Sequence, residues 1–217
     1  MSTAMMNAAG RSTRTLFMSA LFVAASACTS GGDEQNSGEQ EYDMTANEVC
    51  QGTLAGSADS LEARARSEEF GEIDMAPSYT PTDYAEVLME NNVITTDFCV
   101  IYTPGAYPMD FATIEFAWSS MVPTPGHERR LTYYDVDAYA STSDQYAAMY
   151  VNCPVGAAPP DELLWAELAV QTPGSGSDHD DMIAILNSAA YAVVEALGCT
   201  EESGLTPEPP ARWEAPT

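Results

Sequence analysis

Few side chains in this 217-residue sequence are of a type that does chemistry at neutral pH, and their spacing limits what each can do. The two histidines are His127 and His179. His179 stands in Asp178-His179-Asp180-Asp181, and Asp178, His179 and Asp181 are the candidate ligands for a divalent metal. The same run also reads as the first turn of a helix capped by Ser177. Consecutive helical residues point in different directions, so the four cannot all reach one ion. Acids at that end are favoured by the helix dipole without any metal. Capping accounts for the run, and no metal site is assigned. His127 lies in a Pro/Gly loop at residues 123–130.

No Gly-x-Ser-x-Gly elbow occurs, and Gly174-Ser175-Gly176-Ser177 leads into the helix cap. No Ser-His-Asp set, and so no catalytic residue, is nominated. No Gly-rich phosphate loop follows a strand, and no cofactor is implied. Carboxylates are different, because 33 acids always supply pairs suited to hydrolysis. Glu115, between Ile114 and Phe116, is the acid to inspect for burial, although an outward, solvated position explains it plainly. Tyr133, Tyr134 and Trp165 offer rings for stacking on sugars, and sheet packing also uses such rings. The basic pair Arg129-Arg130 reads as a local salt-bridge partner.

The elements that would position these residues are legible in outline. Residues 58–67 form a short helix, with Ser57 as N-cap and Glu62–Arg66 and Arg64–Glu68 as i,i+4 pairs on its exposed side. Thr80-Pro81-Thr82-Asp83 starts a second helix, with N-cap, proline first and acid third. Tyr84, Val87 and Leu88 are its stripe, and Asn91-Asn92 ends it. Five strand candidates follow at 98–102, 111–118, 131–138, 145–152 and 163–170. In the second, Ile114, Phe116 and Trp118 alternate with outward Thr113 and Glu115. In the last, Leu164, Ala166, Leu168 and Val170 share a face. Short loops favour an antiparallel meander. A long final helix carries Met182, Ile183, Leu186, Ala190, Val193 and Leu197, and Gly198 stops it. The expected class is α+β: an antiparallel sheet of about five strands, two short N-terminal helices and one long C-terminal helix packed on the sheet.

The first residues carry Arg11 and Arg14 and no acid, and an uncharged, apolar stretch follows at residues 15–27. It is shorter than the roughly 20 residues of a spanning helix, and reads as the core of a signal peptide. It ends Ala25-Ser26-Ala27-Cys28, which looks like the lipobox of bacterial lipoproteins, with Ala25 where that pattern usually has Leu. Cleavage before Cys28 and two acyl chains on its thiol give a lasting anchor. An ordinary signal peptide cut after Ala27 differs only in lacking the lipid. The chain then divides into a signal peptide at 1–27, an acidic tether at 28–47 with a reach of roughly 25 Å, a domain at 48–201 and a proline-rich tail at 202–217. Trp213 in that tail is placed to fold back onto the domain.

The 33 acids face five arginines after residue 27 and no lysine, a formal net charge of about −28. Such a surface repels phosphate backbones, which excludes nucleic acid, and disfavours peripheral contact with anionic headgroups. Solubility accounts for the charge, and cationic partners are compatible with it.

Cys50, Cys99, Cys153 and Cys199 remain beyond Cys28. In an exported domain four cysteines imply two disulfides, and three pairings are open. Cys50–Cys99 and Cys153–Cys199 are favoured: one ties the domain's leading edge to the first strand, the other pins the end of the last helix to a strand end.

Cys50-Gln51-Gly52-Thr53-Leu54, Cys99-Val100-Ile101-Tyr102-Thr103-Pro104 and Leu197-Gly198-Cys199 resemble landmarks of a secreted lipoprotein family of unknown function from streptomycetes and related actinobacteria. The resemblance covers most of the chain after the signal. It implies the address and the disulfides and no chemistry. The expected function is a non-catalytic binding module, lipid-anchored through Cys28 on the extracellular face of the cell membrane. Its partner would be an envelope protein, a peptide or a cell-wall component. The alternatives are a carboxylate-based hydrolase and a divalent-metal-binding lipoprotein.

Overall fold

The computed structural model describes residues 42–72, 78–90, 96–106, 109–124, 130–155, 162–171 and 179–214. Cys28, His127, Ser177 and Asp178 lie outside the described residues. The fold is α+β, as expected, with six strands in one antiparallel sheet among the described residues: β1 (Thr96–Ile101), β2 (Ala112–Ser119), β3 (Thr132–Tyr133), β4 (Tyr139–Thr142), β5 (Tyr146–Val151) and β6 (Leu163–Val170), in spatial order β1-β2-β6-β5-β4-β3. A β1–β2 hairpin and a β3–β6 meander are zipped together by the long β2–β6 pairing. A plain meander was expected. The chain between Ser119 and Thr132 instead carries it from mid-sheet to the far edge.

Of the expected strand at 131–138 only Thr132–Tyr133 pairs, as β3, and the next strand begins beyond it at Tyr139. The second half of that stretch turns at Asp135–Ala138, where the Val136 N–H donates to the Tyr134 carbonyl and the Tyr134 N–H to the Ala140 carbonyl. That leaves β3 short and makes β4, which the sequence reading omitted.

The helices are α1 (Ala58–Ala65), α2 (Pro81–Glu90), α3 (His179–Leu197) and α4 (Thr200–Ser203). Thr80 caps α2 as its sequence dictates: its Oγ1 accepts from the Asp83 N–H at 3.2 Å and donates to the Asp83 carboxylate at 2.7 Å. The end of α3 is a Schellman motif. Gly198, at φ +75°, donates to the Glu195 carbonyl, and Cys199 donates to the Val194 carbonyl.

Burial follows the two periods. On β2, β5 and β6 alternate side chains are buried. Met149, Leu164 and Leu168 are buried on the strands that α3 packs against, and Ile114 and Phe116 continue the buried face onto β2. The buried surface of α3 is wider than the stripe read from sequence, adding Ile185, Asn187, Ala189 and Val194. The reason is that α1 and α2 pack beside it and the C-terminal segment covers its back. There Asn187 Nδ2 donates to the Thr206 and Glu208 carbonyls.

α2 reaches the sheet through Tyr84, which meets Phe98 and Phe116 at ring separations of 5.2 and 5.6 Å. Its hydroxyl accepts from the Phe116 N–H at 3.3 Å. That contact sits at a register shift in β1 between Asp97 and Cys99. The extra residue turns both Phe98 and Cys99 inward, where strict alternation would aim Cys99 outward. Cys99 thereby meets Cys50, and Cys153 meets Cys199, the two favoured disulfides.

Arg64 corrects the reading of α1. It was assigned to the exposed side, in a pair with Glu68, but only 5% of it is exposed. Its Nη2 donates to the Asp144 carbonyl at 2.6 Å and its Nε to the Met182 sulfur at 3.2 Å. The helix also ends before Arg66, which takes a left-handed conformation at φ +53°.

Gly198 has open space where a Cβ would stand, so only its backbone conformation resists substitution. Gly198→Ala is expected to cost about 1 kcal/mol, a fall in Tm of about 2–4 °C for a domain of this size. Thermal melting of the oxidised protein checks it, and an unchanged Tm would contradict the Schellman ending.

Candidate functional site

α3 and α2 lie on one face of the sheet with α1 packed against α3, and the described residues provide no second helical layer for the other. Alternation fixes what that outer face shows. One row of register partners crosses all six strands: Asp97, Glu115, Glu167, Ala148, Ser141 and Tyr133. The next row holds Ala117, Trp165, Tyr150 and Tyr139. A line of carboxylates therefore lies beside a line of rings.

The carboxylates are the electrostatic feature of the face. Glu115 and Glu167 are directly opposed across β2 and β6, a placement that sets Cβ atoms about 5 Å apart. Both are partly buried. Burial first, and then the charge of Asp97, pushes the Glu115 carboxyl above its ordinary range. Burial first, and then the charge of Glu115, does the same to Glu167. Burial, then Glu167, likewise raises the Tyr150 hydroxyl. Like charges held side by side on a half-desolvated surface favour a proton or another cation between them.

The rings continue in edge-on contacts. Tyr150 meets Tyr139 at 5.6 Å, Tyr139 meets Tyr133 at 6.0 Å, and Tyr133 meets Trp213 at 6.3 Å. Trp213 arrives because the C-terminal segment adds to the β3 edge: its N–H donates to the Tyr133 carbonyl, and Asp135 donates to the Ala211 carbonyl. Trp213 and Tyr146 are exposed. Tyr133, Tyr139 and Trp213 help to wall a hollow of about 210 Å³ at this corner, smaller than the usual small-molecule site.

The structure separates the residues singled out from sequence. Glu115 faces outward, half-buried, and Tyr133 and Trp165 share its face. Tyr134 does not: it is buried, and its hydroxyl donates to Asp180 at 3.1 Å. His179 and Asp181 are not brought to a common point with their neighbour Asp180. His179 Nδ1 lies 2.9 Å from Thr142 Oγ1, and its Nε2 is 3.9 Å from Asp144. Asp180 accepts from Arg212 Nε at 2.7 Å, and that bond holds its carboxyl below the ordinary range. Asp181 acts on the buried Arg64.

Thr142, His179 and Asp144 thus line up in a nucleophile-base-acid order that sequence spacing hides. Thr142 is completely buried, so no substrate meets its hydroxyl, and the set fastens α3 to β4. Among the described residues, three potential metal ligands converge at Cys50, Glu72 and Cys99, within 4.8 Å. Both sulfurs there are spent in the disulfide.

Glu167, Tyr150 and Tyr139 were not anticipated. The alternation of β6 puts Glu167 outward with Trp165, but only the pairing of β6 with β2 sets it against Glu115. No protein-family model matches the chain, and neither a curated protein nor a solved structure is significantly similar to it.

The raised carboxyls have a consequence for stability. A folded-state pKa above the unfolded value means that the fold is favoured by protonation, and that stability falls as pH rises through the folded pKa. Glu167→Gln is therefore expected to raise Tm at pH 7 by about 2 °C and to leave it unchanged at pH 3.5, below the ordinary glutamate value of 4.5. Melting curves at the two pH values check this. A Tm lowered at pH 7 would mean that the carboxylate is paired rather than repelled.

Proposed function

We propose that this chain is a non-catalytic binding module, held by lipid on Cys28 at the extracellular face of a cell membrane and offering the outer face of its sheet to an envelope protein, peptide or cell-wall component. The carrying observation is the sheet face over which no described helix packs, where partly buried carboxylates lie beside a line of rings. Evolution normally covers or charges such a face; here Trp165, Tyr150 and Tyr133 are half-buried and Trp213 and Tyr146 are exposed, and accessible aromatic clusters mark interaction surfaces. Two disulfides suit an oxidising space, which agrees with the signal-like N-terminus. The likeness to lipoproteins of streptomycetes belongs to the same reading. Among the described residues no helix is long and apolar enough to cross a membrane; the anchor in this reading is the lipid on Cys28.

The second reading, a carboxylate hydrolase, is favoured by one observation, the facing pair Glu115 and Glu167. Against it, both belong to a broad sheet face, whereas hydrolysis by two carboxylates uses a cleft that encloses the scissile bond.

The membrane half of the proposal is tested by detergent phase partitioning and intact mass of the mature protein. The expected result is a chain beginning at Cys28, heavier by a diacylglycerol and in the detergent phase, with Cys28→Ala in the aqueous phase. A mature chain that keeps its first 27 residues, or a Cys28→Ala form that still partitions with detergent, would overturn it.

A further inference from the structure

The outer face specifies the sign and shape of its partner. We infer that it docks a basic, extended polypeptide segment whose arginine side chains stack on Trp165 and Tyr150 and pair with Glu167 and Glu115. The inference rests on the binding-module reading above and narrows it.

Three observations lead to it. First, three carboxylates, Asp97, Glu115 and Glu167, stand in register from the β1 edge across β2 to β6. A guanidinium presents donors alone and carries the complementary charge, whereas a neutral sugar would leave the charge of this row uncompensated. Second, rings adjoin the carboxylates. Trp165 and Glu167 are two residues apart on β6, with Tyr150 opposite Trp165. Ring face plus carboxylate is the environment that suits guanidinium, a planar cation that stacks and hydrogen-bonds at once. Third, alternate residues of an extended chain are about 6.8 Å apart on one side, the same separation as Trp165 and Glu167 along their own strand. A segment lying along β6 would thus set one cation over the carboxylate row and the next over the ring row.

Charge also selects against another occupant. A second copy of this chain would bring the same acid row, on a body of net charge −26, against the first. Like charges directly opposed are unfavourable. The breadth and flatness of a sheet face likewise fit a polypeptide better than a small ligand, which binds in concave sites.

The test uses the mature chain in detergent micelles at 150 mM salt, with the probe acetyl-Arg-Ala-Arg-Ala-Arg-amide and its citrulline counterpart. Calorimetry or tryptophan fluorescence reads binding. The arginine peptide is expected to bind and the citrulline peptide not. Glu115→Gln with Glu167→Gln is expected to weaken binding by about tenfold, as for two partly desolvated charge pairs. Trp165→Ala is expected to weaken it by about threefold.

Glu201→Gln with Glu202→Gln makes the same change of charge on exposed α4 residues and is expected to matter less than twofold. Equal losses from the two double variants would reduce the effect to diffuse attraction by an acidic body and overturn the inference. Tight binding of a neutral cell-wall oligosaccharide in place of the arginine peptide would overturn it too, while leaving the binding-module reading in place. Sedimentation showing a dimer abolished by Trp165→Ala would assign the face to a second copy and overturn both. Retention of the native circular dichroism shows that each variant still folds.

Discussion

The burial of α3 against the inner face of the sheet is the interaction on which the rest of the structure depends. Met182, Ile183, Leu186, Ala190 and Val193 of α3 and Met149, Leu164 and Leu168 of the sheet are all buried where α3 packs on β4, β5 and β6. Fully burying an aliphatic side chain contributes about 1.5–3 kcal/mol, so this layer is a large part of what holds the domain together. Its ends are fixed by different means. At the C-terminus the Schellman turn at Gly198 directs Cys199 to Cys153. At the N-terminus Thr142 and Tyr134 bond His179 and Asp180. Arg64 fills the corner between α1, α3 and Asp144, and desolvation lowers its pKa against the opposing charges of Asp144 and Asp181. A buried cation of this sort fixes how α1 is seated more than it adds stability.

Asymmetric coverage then determines the other face. Side chains on a strand alternate, so each residue placed under α3 obliges its neighbours to face away from it. Glu115 lies between Ile114 and Phe116, and Glu167 between Ala166 and Leu168. The register of β2 with β6, enforced by the core, also sets those two carboxylates side by side. The burial, and then the repulsion, that raise their pKa values are thus held in place by the packing of the core. A surface that opposes its own charge in this way is poised for a cation.

Much of this was legible in the sequence, because it rests on local periodicity. The caps at Thr80 and Gly198, the alternation of β2 and β6 and the long stripe of α3 are properties of short windows. What was hidden depends on which distant segments meet. The β-bulge at Phe98 turns Cys99 inward, yet nothing in Thr-Asp-Phe-Cys-Val-Ile marks it. Residues 131–138 look like one strand because Tyr133, Tyr134 and Val136 suit a strand, and only the pairing of Tyr134 with Arg212 and Ala140 shows the turn between them. Arg64 looked solvent-exposed because charged residues usually are; its partners, Asp144 and Met182, lie far along the chain. The candidate site was half visible for the same reason. Glu115, Tyr133 and Trp165 could be named one at a time, but their neighbours Glu167, Tyr150 and Tyr139 follow only from strand order.

The most direct test of a sheet covered on one side and open on the other is oxidative footprinting of the intact, oxidised protein by hydroxyl radicals, read residue by residue by mass spectrometry. Trp165, Tyr150 and Trp213 are expected to be labelled readily, while Met149 and Met182, on the covered side, stay protected until the domain unfolds. Protection of Trp165 and Tyr150 to the level of Met149 would show that the outer face is covered in the protein itself, and would contradict its assignment as the binding surface.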